Sequence, residues 1–399
     1  MIKKELRCAL IFLGPFPIGN VSTIRIMTYC KALVKKGVFV KVLLIAPTAE
    51  AAVNKSRSGV VDGVHYQYIT DITWNRKNVP KFIKLAYYVA GLFKSLEYIR
   101  ADKINCLLTY RDEFLSNVFY RIATKMRGIP FIIDKTEYPV GYFKMPAFRK
   151  RFERLKLKMF DGFITITSEL KKFYYREIKK PESHYFLLPM TMDMNRYAGL
   201  QKQQVDEPYI AVVFGTHNRD GLFESIKAYK KYRSLTTAKP YRLVLIGDLD
   251  ELCKNFRECN DIKSYIERNG LQASVDIKGM IPINDVPQLL LNADCLLTTP
   301  LAYVSGGFPT KLGEYLLSGV PVVATSAGEI NNFLTDKLNI LLSLPNDDDA
   351  VADHILYLQQ NPREMEKIGQ AGKRLVAEVF NADTYVDDLI LFLKGLFKE

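Results

Sequence analysis

Short apolar runs alternate with amphipathic segments of helical length along the whole chain. Runs rich in β-branched and aliphatic residues predict strands, whereas the apolar spacing in segments such as Thr23–Lys36 and Glu113–Arg127 predicts helices. Gly37 and Gly128 follow these two segments, where the C-cap of a helix is expected. Such alternation predicts parallel sheets covered by helices on both faces. The strands predicted in the first half are Cys8–Leu13, Phe39–Ala46, Val64–Ile69, Ile104–Thr109, Pro130–Asp134, Gly162–Thr167 and Tyr185–Leu188.

The alternation stops at a polar stretch in the middle of the chain. Asn195–Pro208 lacks periodicity and ends in proline, which predicts a linker at 196–208. We therefore expect an α/β protein with two Rossmann-like, doubly wound domains facing across a cleft, at 1–195 and 209–380. A terminal helix within 381–399 is expected to pack back on the first domain. The strands predicted in the second half are Tyr209–Phe214, Arg242–Ile246, Ser274–Lys278, Asp294–Thr298, Val320–Thr325 and Ile340–Leu342.

Charge is distributed unevenly between the two halves. The chain of 399 residues carries a formal net charge of +13, but residues 1–200 hold 35 Lys and Arg against 16 Asp and Glu, a net of +19. The rest of the chain is therefore net −6. This asymmetry predicts that the first half contacts an anionic partner, such as a phospholipid surface, a lipid-phosphate substrate or nucleic acid. The alternative is a solvated basic face without a partner.

Cysteine usage and hydropathy bear on the compartment. The six cysteines are scattered without a C-x-x-C or metal-ligand spacing, which favours a reducing environment. Basic residues precede the apolar run Cys8–Leu13, but this run is too short for the core of a signal peptide and Gly14-Pro15 ends it. The longest uncharged apolar stretch, Leu85–Phe93, is far shorter than the roughly 20 residues that span a bilayer. We expect a cytoplasmic protein that is not integral to a membrane.

The densest chemical motif is Ser305–Val323, which reads SGGFPTKLGEYLLSGVPVV. Its two glycines allow backbone N–H groups to approach a ligand closely, and Pro309 fixes φ at a predicted helix entrance. The amino end of that helix is a ready anion site, to which Lys311 adds a full charge. Glu314 lies one turn deeper, where a carboxylate can accept hydrogen bonds from a ribose diol. The alternative is an ordinary loop–helix–strand unit in which Lys311 and Glu314 form an i,i+3 ion pair.

This segment resembles the donor site of family 4 glycosyltransferases, which are retaining enzymes of the GT-B fold. The resemblance is greatest to the subgroup that reads F-P-x-K-x-x-E-Y-x-x-x-G-x-P-V-V. It extends across nearly the whole chain through short motifs in the right order. These motifs are LIFLGPFPIG at 10–19, TITSEL at 165–170, LPMTMD at 188–193, KGMIP at 278–282 and LNADCLL at 291–297.

The resemblance implies a nucleotide-diphosphate sugar as co-substrate and a set of residues that bind it. Lys311 and Arg219 are expected to clamp the diphosphate as catalytic cations, although a lysine is more usual at the second position. Many family members carry a second Glu where this chain has Gly306, so the sugar must be recognised differently here. The residues expected at the donor are Gly19, Asn20, Gly215, His217, Arg219, Met280, Ile281, Gly306, Gly307, Phe308, Pro309, Thr310, Lys311, Leu312 and Glu314.

Departure of a nucleoside diphosphate leaves developing negative charge, so the main catalytic task is electrostatic stabilisation of the leaving group. Cationic side chains and a helix amino end can supply it, and we therefore expect no metal ion and no other cofactor. Asp248-Leu249-Asp250 matches the metal-binding D-x-D of the other glycosyltransferase fold, but it reads better as a helix N-cap. Retention of configuration is implied by the family alone.

Acceptor-side candidates lie at strand ends of the first half. Glu137, in FIIDKTEYP at 131–139, is the preferred catalytic candidate because the family often has His or Glu in this loop, facing the donor sugar. Asp134, Arg111 and Asp112 are weaker candidates, and any of these carboxylates can simply be a loop residue. The implied acceptor is a glycan or a lipid-diphosphate-linked glycan in cell-surface polysaccharide synthesis.

Two segments of the first half, Arg76–Arg100 and Lys144–Lys158, mix basic residues with aromatic ones. Basic amphipathic helices of this composition suit the surface of an anionic membrane, which predicts a peripheral enzyme on the inner face of the cytoplasmic membrane. Alternatively, the aromatic residues belong to the core. A nucleic-acid-binding protein is the competing function, but no helix-turn-helix, RRM or zinc pattern supports it. Another GT-B enzyme, such as an epimerase or phosphorylase, and a catalytically silent scaffold remain further alternatives.

Overall fold

A computed structural model describes residues 5–45, 53–70, 80–110, 112–216, 218–302 and 306–397, with residues 257 and 258 described by their backbone alone. The chain divides into two units. The first unit comprises Met1–Asp193, Ser305–Gly307 and Asn381–Glu399, and the second comprises Met194–Val304 and Phe308–Phe380. His217, Arg111 and Ser305, all named from the sequence, lie outside the described residues.

The first half of the described chain alternates strands and helices, with one hairpin. Its elements are β1 (Arg7–Phe12), α1 (Val21–Lys35), β2 (Phe39–Leu44), β3 (Ser58–Val61), β4 (Val64–Tyr68), α2 (Lys81–Ala101), β5 (Cys106–Thr109), α3 (Phe114–Arg127), β6 (Phe131–Lys135), α4 (Ala147–Leu157), β7 (Gly162–Thr165), α5 (Ser168–Ile178) and β8 (Tyr185–Leu187). Each strand predicted in this half is found, with slightly different ends.

The second half continues the alternation and ends in three consecutive helices. Its elements are β9 (Tyr209–Val213), α6 (Leu222–Leu235), β10 (Arg242–Ile246), α7 (Leu249–Asn255), α8 (Asp261–Arg268), β11 (Val275–Gly279), α9 (Val286–Asn292), β12 (Cys295–Thr298), α10 (Thr310–Ser318), β13 (Val322–Thr325), β14 (Leu341–Ser343), α11 (Asp348–Gln360), α12 (Pro362–Val379) and α13 (Ala382–Gly395). The strands predicted in this half are likewise found.

Among the described residues, the strands of the first unit form one sheet in the order β3-β4-β2-β1-β5-β6-β7-β8. All neighbours are parallel except β3 and β4, which pair as an antiparallel hairpin. Strand order reverses between β1 and β5, so the carboxyl ends of these strands flank the topological switch point, where ligands bind in doubly wound folds. The loop after β1 and the loops after β5 and β6 therefore lie at the ligand-binding edge of this sheet.

The strands of the second unit form a parallel sheet in the order β11-β10-β9-β12-β13-β14 within the described residues. Its switch point lies between β9 and β12, which places the loop after β9 at the corresponding edge. β12 and β13 are buried throughout, as expected for strands covered on both faces. Each unit is thus a doubly wound α/β unit with a largely parallel sheet, as the predicted fold class, GT-B, requires.

The terminal helix α13 packs into the core of the first unit. Val386, Leu389 and Leu393 on this helix join the buried cluster that includes β1, β2 and α1. The ring of Phe392 stacks on Phe186 at 5.4 Å. At the surface, two ion pairs connect the carboxyl end of α1 to α13. Lys35 pairs with Asp383, and Lys36 pairs with Asp387.

A buried ion pair connects α1 to the ligand-binding edge of the first sheet. The guanidinium of Arg25 donates to both carboxylate oxygens of Asp134, at 2.9 and 3.1 Å, and also to the carbonyl oxygens of Leu188 and Pro189. Both side chains are almost fully buried. Asp134, predicted at the end of a strand and considered on the acceptor side, lies within β6 and is engaged by Arg25. It therefore braces the sheet.

We predict that Asp134→Ala strongly destabilises the protein, because it leaves the Arg25 guanidinium charged, buried and without its carboxylate. Breaking a buried pair from one side costs about 3–5 kcal/mol of the free energy of unfolding. Urea denaturation measures this loss. The double variant Arg25→Met/Asp134→Leu should recover much of it, because it removes both charges; equal losses in the single and double variants would contradict the argument.

Candidate functional site

Helix α10 is fixed against the end of β9 in the second unit. The buried hydroxyl of Tyr315 on α10 accepts a 2.6 Å hydrogen bond from the backbone N–H of Val213, the last residue of β9. Pro309 occupies the N-cap position with no side-chain cap hydrogen bond. The first N–H groups of the helix therefore carry the partial positive charge of an uncapped amino end beside the switch point of the sheet.

Asp220 connects the two predicted donor-binding segments of this unit. Its Oδ2 accepts a hydrogen bond from the backbone N–H of Gly215 at 2.8 Å and forms an ion pair with the ammonium of Lys311. The Lys311 side chain is about one quarter exposed, at 27%. Gly215 and Lys311 are thus brought together around one carboxylate oxygen, so a negatively charged group already occupies the position between two predicted phosphate-binding groups.

Glu314 pairs with an arginine that precedes the second unit's first strand. Its Oε1 accepts a hydrogen bond from Nε of Arg196 at 3.0 Å, and Arg196 also donates to the carbonyl oxygen of Ile283. The hydroxyl of Tyr197 donates to the Glu314 carbonyl at 3.1 Å. Lys311 and Glu314 consequently have different partners, and the ordinary i,i+3 ion pair considered from the sequence is not what the structure shows.

The other predicted donor residues of the second unit differ in exposure. Arg219, in the loop after β9, and Met280, directly after β11, are exposed, whereas Ile281 is half-buried. Phe308 is buried in a cluster of three rings with Phe333 and Phe380. Pro309 and Leu312 are also buried, and Thr310 is half-buried. The buried side chains of Phe308 and Leu312 therefore stabilise the start of α10. These two residues can contact a ligand only through their backbone groups.

Gly306 and Gly307 are grouped with the first unit. The Oγ1 of Thr167, at the N-cap of α5, donates to the carbonyl oxygen of Gly306 at 2.6 Å. Gly306 has φ +71°, and a Cβ there would approach the ring of Tyr138 to 2.5 Å and Leu170 to 3.0 Å. The glycine at the position of the family's usual Glu is therefore required by the local packing.

Gly19 and Asn20 shape the loop between β1 and α1. A Cβ on Gly19 would collide with the side chain of Thr23 and lie 2.7 Å from the carbonyl oxygen of Pro15. The Asn20 side chain caps α1 by accepting a hydrogen bond from the N–H of Ser22 at 3.2 Å. Both residues thus have a structural reason for their identity, at the edge of the sheet where ligands bind.

Glu137 lines a cavity of about 380 Å³ in the first unit. The cavity opens beyond the ends of β5 and β6, and its wall contains two ion pairs, Lys135 to Asp112 at 3.2 Å and Lys156 to Glu153 at 2.7 Å. The carbonyl oxygen of Glu137 accepts a hydrogen bond from Tyr174, which fixes the backbone. Mixed carboxylates, ammonium groups and hydroxyls of this kind can bind a polyhydroxylated molecule.

Two tyrosines in the cavity wall remain hydrogen-bond donors at neutral pH. Burial, reinforced by the charge of Asp134, raises the pKa of Tyr110. Burial and the hydrogen bond to Glu169 raise the pKa of Tyr138. Because both pKa values lie above the ordinary value for tyrosine, these phenols stay protonated and cannot act as phenolate bases near neutral pH.

The cysteines and the Asp248-Leu249-Asp250 motif named from the sequence have structural roles. Burial raises the pKa of the thiols of Cys30 and Cys295, so these buried cysteines are poor nucleophiles. Asp248 is the N-cap of α7 and accepts a hydrogen bond from the N–H of Glu251, as expected from the sequence. Across the described residues, no group of three or more His, Cys, Asp and Glu side chains could hold a metal ion.

Asp220 and Arg196 were not among the residues selected from the sequence. Asp220 lies beside Arg219 in a segment that was singled out, so its carboxylate could have been weighed as a partner of Lys311. Arg196 lies in the predicted linker and forms an ion pair with Glu314, which lies more than a hundred residues later in the sequence. No sequence pattern links these two positions.

Comparisons with known proteins agree on the fold. Residues 200–375 match the family described as "Glycosyl transferases group 1". A glycosyltransferase from Rickettsia africae ESF-5 superposes with TM-score 0.73 at 15% identity, covering 99% of this chain and 100% of that chain. HepE from Anabaena, solved with UDP and with UDP-glucose, has TM-score 0.70 and covers 98% of this chain and 100% of its own, at 16% and 15% identity respectively.

Sucrose-phosphate synthase from Thermosynechococcus elongatus superposes with TM-score 0.69 at 16% identity, covering 98% of this chain and 99% of that chain. Among curated protein sequences, none matches this chain.

We predict that Gly306→Ala destabilises the protein more than Gly279→Ala. Both glycines have a φ near +70°, which costs alanine about 1–2 kcal/mol, but a Cβ at Gly279 meets open space. Only the Gly306 variant must also displace the ring of Tyr138, at an additional cost of about 1–3 kcal/mol in the free energy of unfolding. Denaturant titration of both variants measures the difference, and equal losses would show that the Tyr138 contact is unimportant.

Proposed function

We propose that this protein is a retaining glycosyltransferase that moves a sugar from a nucleotide-diphosphate donor to a glycan or lipid-diphosphate-linked glycan. The observation that carries the proposal is the placement of Lys311 and the uncapped amino end of α10 beside Gly215, at the switch point of the second sheet. This segment also lies within the residues that match glycosyl transferases group 1. A positively polarised site of this kind suits a diphosphate.

The donor diphosphate is proposed to bind Lys311 and the N–H groups around it in place of the Asp220 carboxylate, with Arg219 as a second cation. When the bond from the sugar to the diphosphate breaks, negative charge develops on the leaving group, and these positive groups stabilise it more than they stabilise the bound donor. No metal ion is then required. Since HepE was solved with UDP and UDP-glucose, UDP-sugars are the first donors to test.

Glu314 is proposed to accept hydrogen bonds from the ribose hydroxyls, with Arg196 holding its carboxylate. The Arg196 contact restricts the rotamers of Glu314 before the ligand arrives, so little side-chain entropy remains to be lost on binding. Phe308 is held by its buried ring cluster, and the backbone groups next to it are proposed to contact the sugar.

The acceptor is proposed to bind in the cavity lined by Glu137, at the ligand-binding edge of the first sheet. The Glu137 carboxylate would stabilise positive charge on the sugar in the transition state. Retention is proposed from the family resemblance and is tested by the anomeric coupling constant of the newly formed glycoside in a proton NMR spectrum. A product of inverted configuration would reject retention.

We further propose that the enzyme works in the cytoplasm at an anionic membrane surface.

We predict that Lys311→Ala weakens the binding of a UDP-sugar about 10- to 100-fold, because it removes a charge-assisted hydrogen bond worth about 1.5–3 kcal/mol. Isothermal titration calorimetry measures Kd, and repetition with EDTA should give the same value. Lys311→Arg should retain much of the affinity, and Lys239→Ala, which removes an exposed lysine paired with Glu207, is the matched control. If no nucleotide sugar among UDP, GDP and ADP donors binds the wild-type protein, a binding or scaffold role replaces the proposed activity.

We predict that Glu137→Gln lowers kcat about 10²-fold and leaves donor Kd nearly unchanged, because it removes a charge used mainly in the transition state. The matched control is Glu153→Gln, which neutralises another glutamate of the same cavity, one that is paired with Lys156. Steady-state kinetics with the identified donor provide kcat. A similar decrease in both variants would mean that general loss of charge in the cavity, and not the position of Glu137, is responsible.

A further inference from the structure

Helix α2 has apolar residues on two faces. One face, with Gly91, Leu92, Ser95 and Ile99, is buried in the first unit. The other face exposes Phe82, Leu85, Val89 and Phe93, which follow one another at intervals of three or four residues. Phe82 is 73% exposed and Phe93 62%. Packing against the described residues of the unit does not explain a second apolar stripe of this length, because an ordinary surface helix is polar on its outer face.

Helices α3 and α4 continue this surface. On α3 the exposed residues include Leu115, Ile122 and Met126, and on α4 they are Phe148, Phe152 and Leu155, again at helical spacing. The ring of Phe93 on α2 lies 5.2 Å from Phe119 on α3, and the ring of Phe114 on α3 lies 5.3 Å from Phe152 on α4. We call the exposed apolar residues of these three helices the aromatic face.

Basic residues dominate the same helices. Together α2, α3 and α4 contain twelve Lys and Arg residues but only two acidic ones, Glu97 and Glu153. Glu153 is already paired with Lys156. Arg149 and Arg151 are exposed beside Phe148 and Phe152 on α4. The charge balance of these helices therefore complements a strongly anionic surface.

We propose that the aromatic face docks the protein on an anionic lipid bilayer. Aromatic and aliphatic side chains would enter the boundary between headgroups and acyl chains, while the surrounding Lys and Arg contact anionic headgroups. No helix in the described part of the chain is long and apolar enough to cross a membrane, so the helices would lie in the interface. The excess of Lys and Arg over acidic residues beside these apolar groups matches anionic headgroups next to acyl chains, which favours a bilayer over a protein partner.

This inference deepens the membrane location in the proposed function, yet bilayer binding requires neither donor nor acceptor. If the aromatic face binds lipid, the first unit, which contains the Glu137 cavity, is held at the surface where a lipid-linked acceptor resides. Loss of membrane binding would then raise KM for a lipid-linked acceptor and leave donor Kd unchanged. Failure of glycosyl transfer and failure of docking are therefore distinguishable.

We predict that the full-length protein sediments with phosphatidylcholine vesicles that contain phosphatidylglycerol, and much less with phosphatidylcholine alone. Phe82→Ser/Phe148→Ser should weaken this binding at least about tenfold, because burying one such side chain contributes about 1.5–3 kcal/mol. Arg149→Gln/Arg151→Gln should weaken it about fivefold per charge at low salt. Leu391→Ser, which removes an exposed leucine from α13, is the matched control and should bind as the wild type does.

Thermal unfolding of each variant checks that the fold is retained, which is expected because the substituted side chains are exposed. Absence of wild-type binding to anionic vesicles at low salt would overturn the proposal. The proposal would also be overturned if the Phe82/Phe148 variant, the Arg149/Arg151 variant and the Leu391 control all weakened the binding equally. A wild-type dimer in sedimentation velocity, abolished by Phe82→Ser/Phe148→Ser without any vesicle binding, would instead assign the face to a second copy of the chain.

Discussion

The attachment of α10 to the end of β9 is the constraint on which the proposed chemistry depends. A helix amino end attracts an anion only over its first turn, so its value as a site is lost if the helix shifts along the sheet. The hydrogen bond from Val213 to Tyr315 prevents such a shift, because the phenol is buried and its oxygen would otherwise lack this donor. As a result, Gly215, which follows β9, and Lys311, in the first turn of α10, both contact the Asp220 carboxylate.

Asp220 makes this positively charged site stable before any ligand arrives. Without a carboxylate, the Lys311 ammonium and the N–H of Gly215 would face each other with only solvent to separate their charges. With Asp220 in place, the proposed diphosphate would exchange with a carboxylate that is already well hydrogen-bonded. Binding would then be a competition between two anions, which would lower the net affinity for any single phosphate and favour a ligand with several negative oxygens.

Local sequence signals predicted the units of this fold well. Strand–helix alternation predicted both sheets, and glycine predicted the end of α3, where Gly128 adopts the left-handed conformation. Hairpin β3–β4 was missed although the sequence contains its signal, the dipeptide Asp62-Gly63. Both residues have positive φ, as a two-residue type I′ turn requires, and they connect residues that pair directly. The strand–helix alternation on either side of this segment favours parallel strands, so the short antiparallel pair at the edge of the sheet was not predicted.

The candidate site was less predictable because its decisive contacts are long-range. Lys311 and Glu314 were selected from their own helix, where an i,i+3 ion pair was the obvious competing interpretation. Their actual partners, Asp220 and Arg196, come from the loop after β9 and from the segment before it. Periodicity reports which side of a helix is apolar, but it contains no information about which distant side chain meets a given charge.

The same limit left the environment of the apolar residues of α2 open. From the sequence, the segment Arg76–Arg100 fits either an amphipathic helix on an anionic membrane or a helix whose aromatic residues belong to the core. The structure separates them, since Leu92 is buried while Phe82, Leu85 and Phe93 are exposed. Among the described residues, the first unit covers only one apolar face of this helix of 21 residues, and the proposed bilayer would be the second apolar environment.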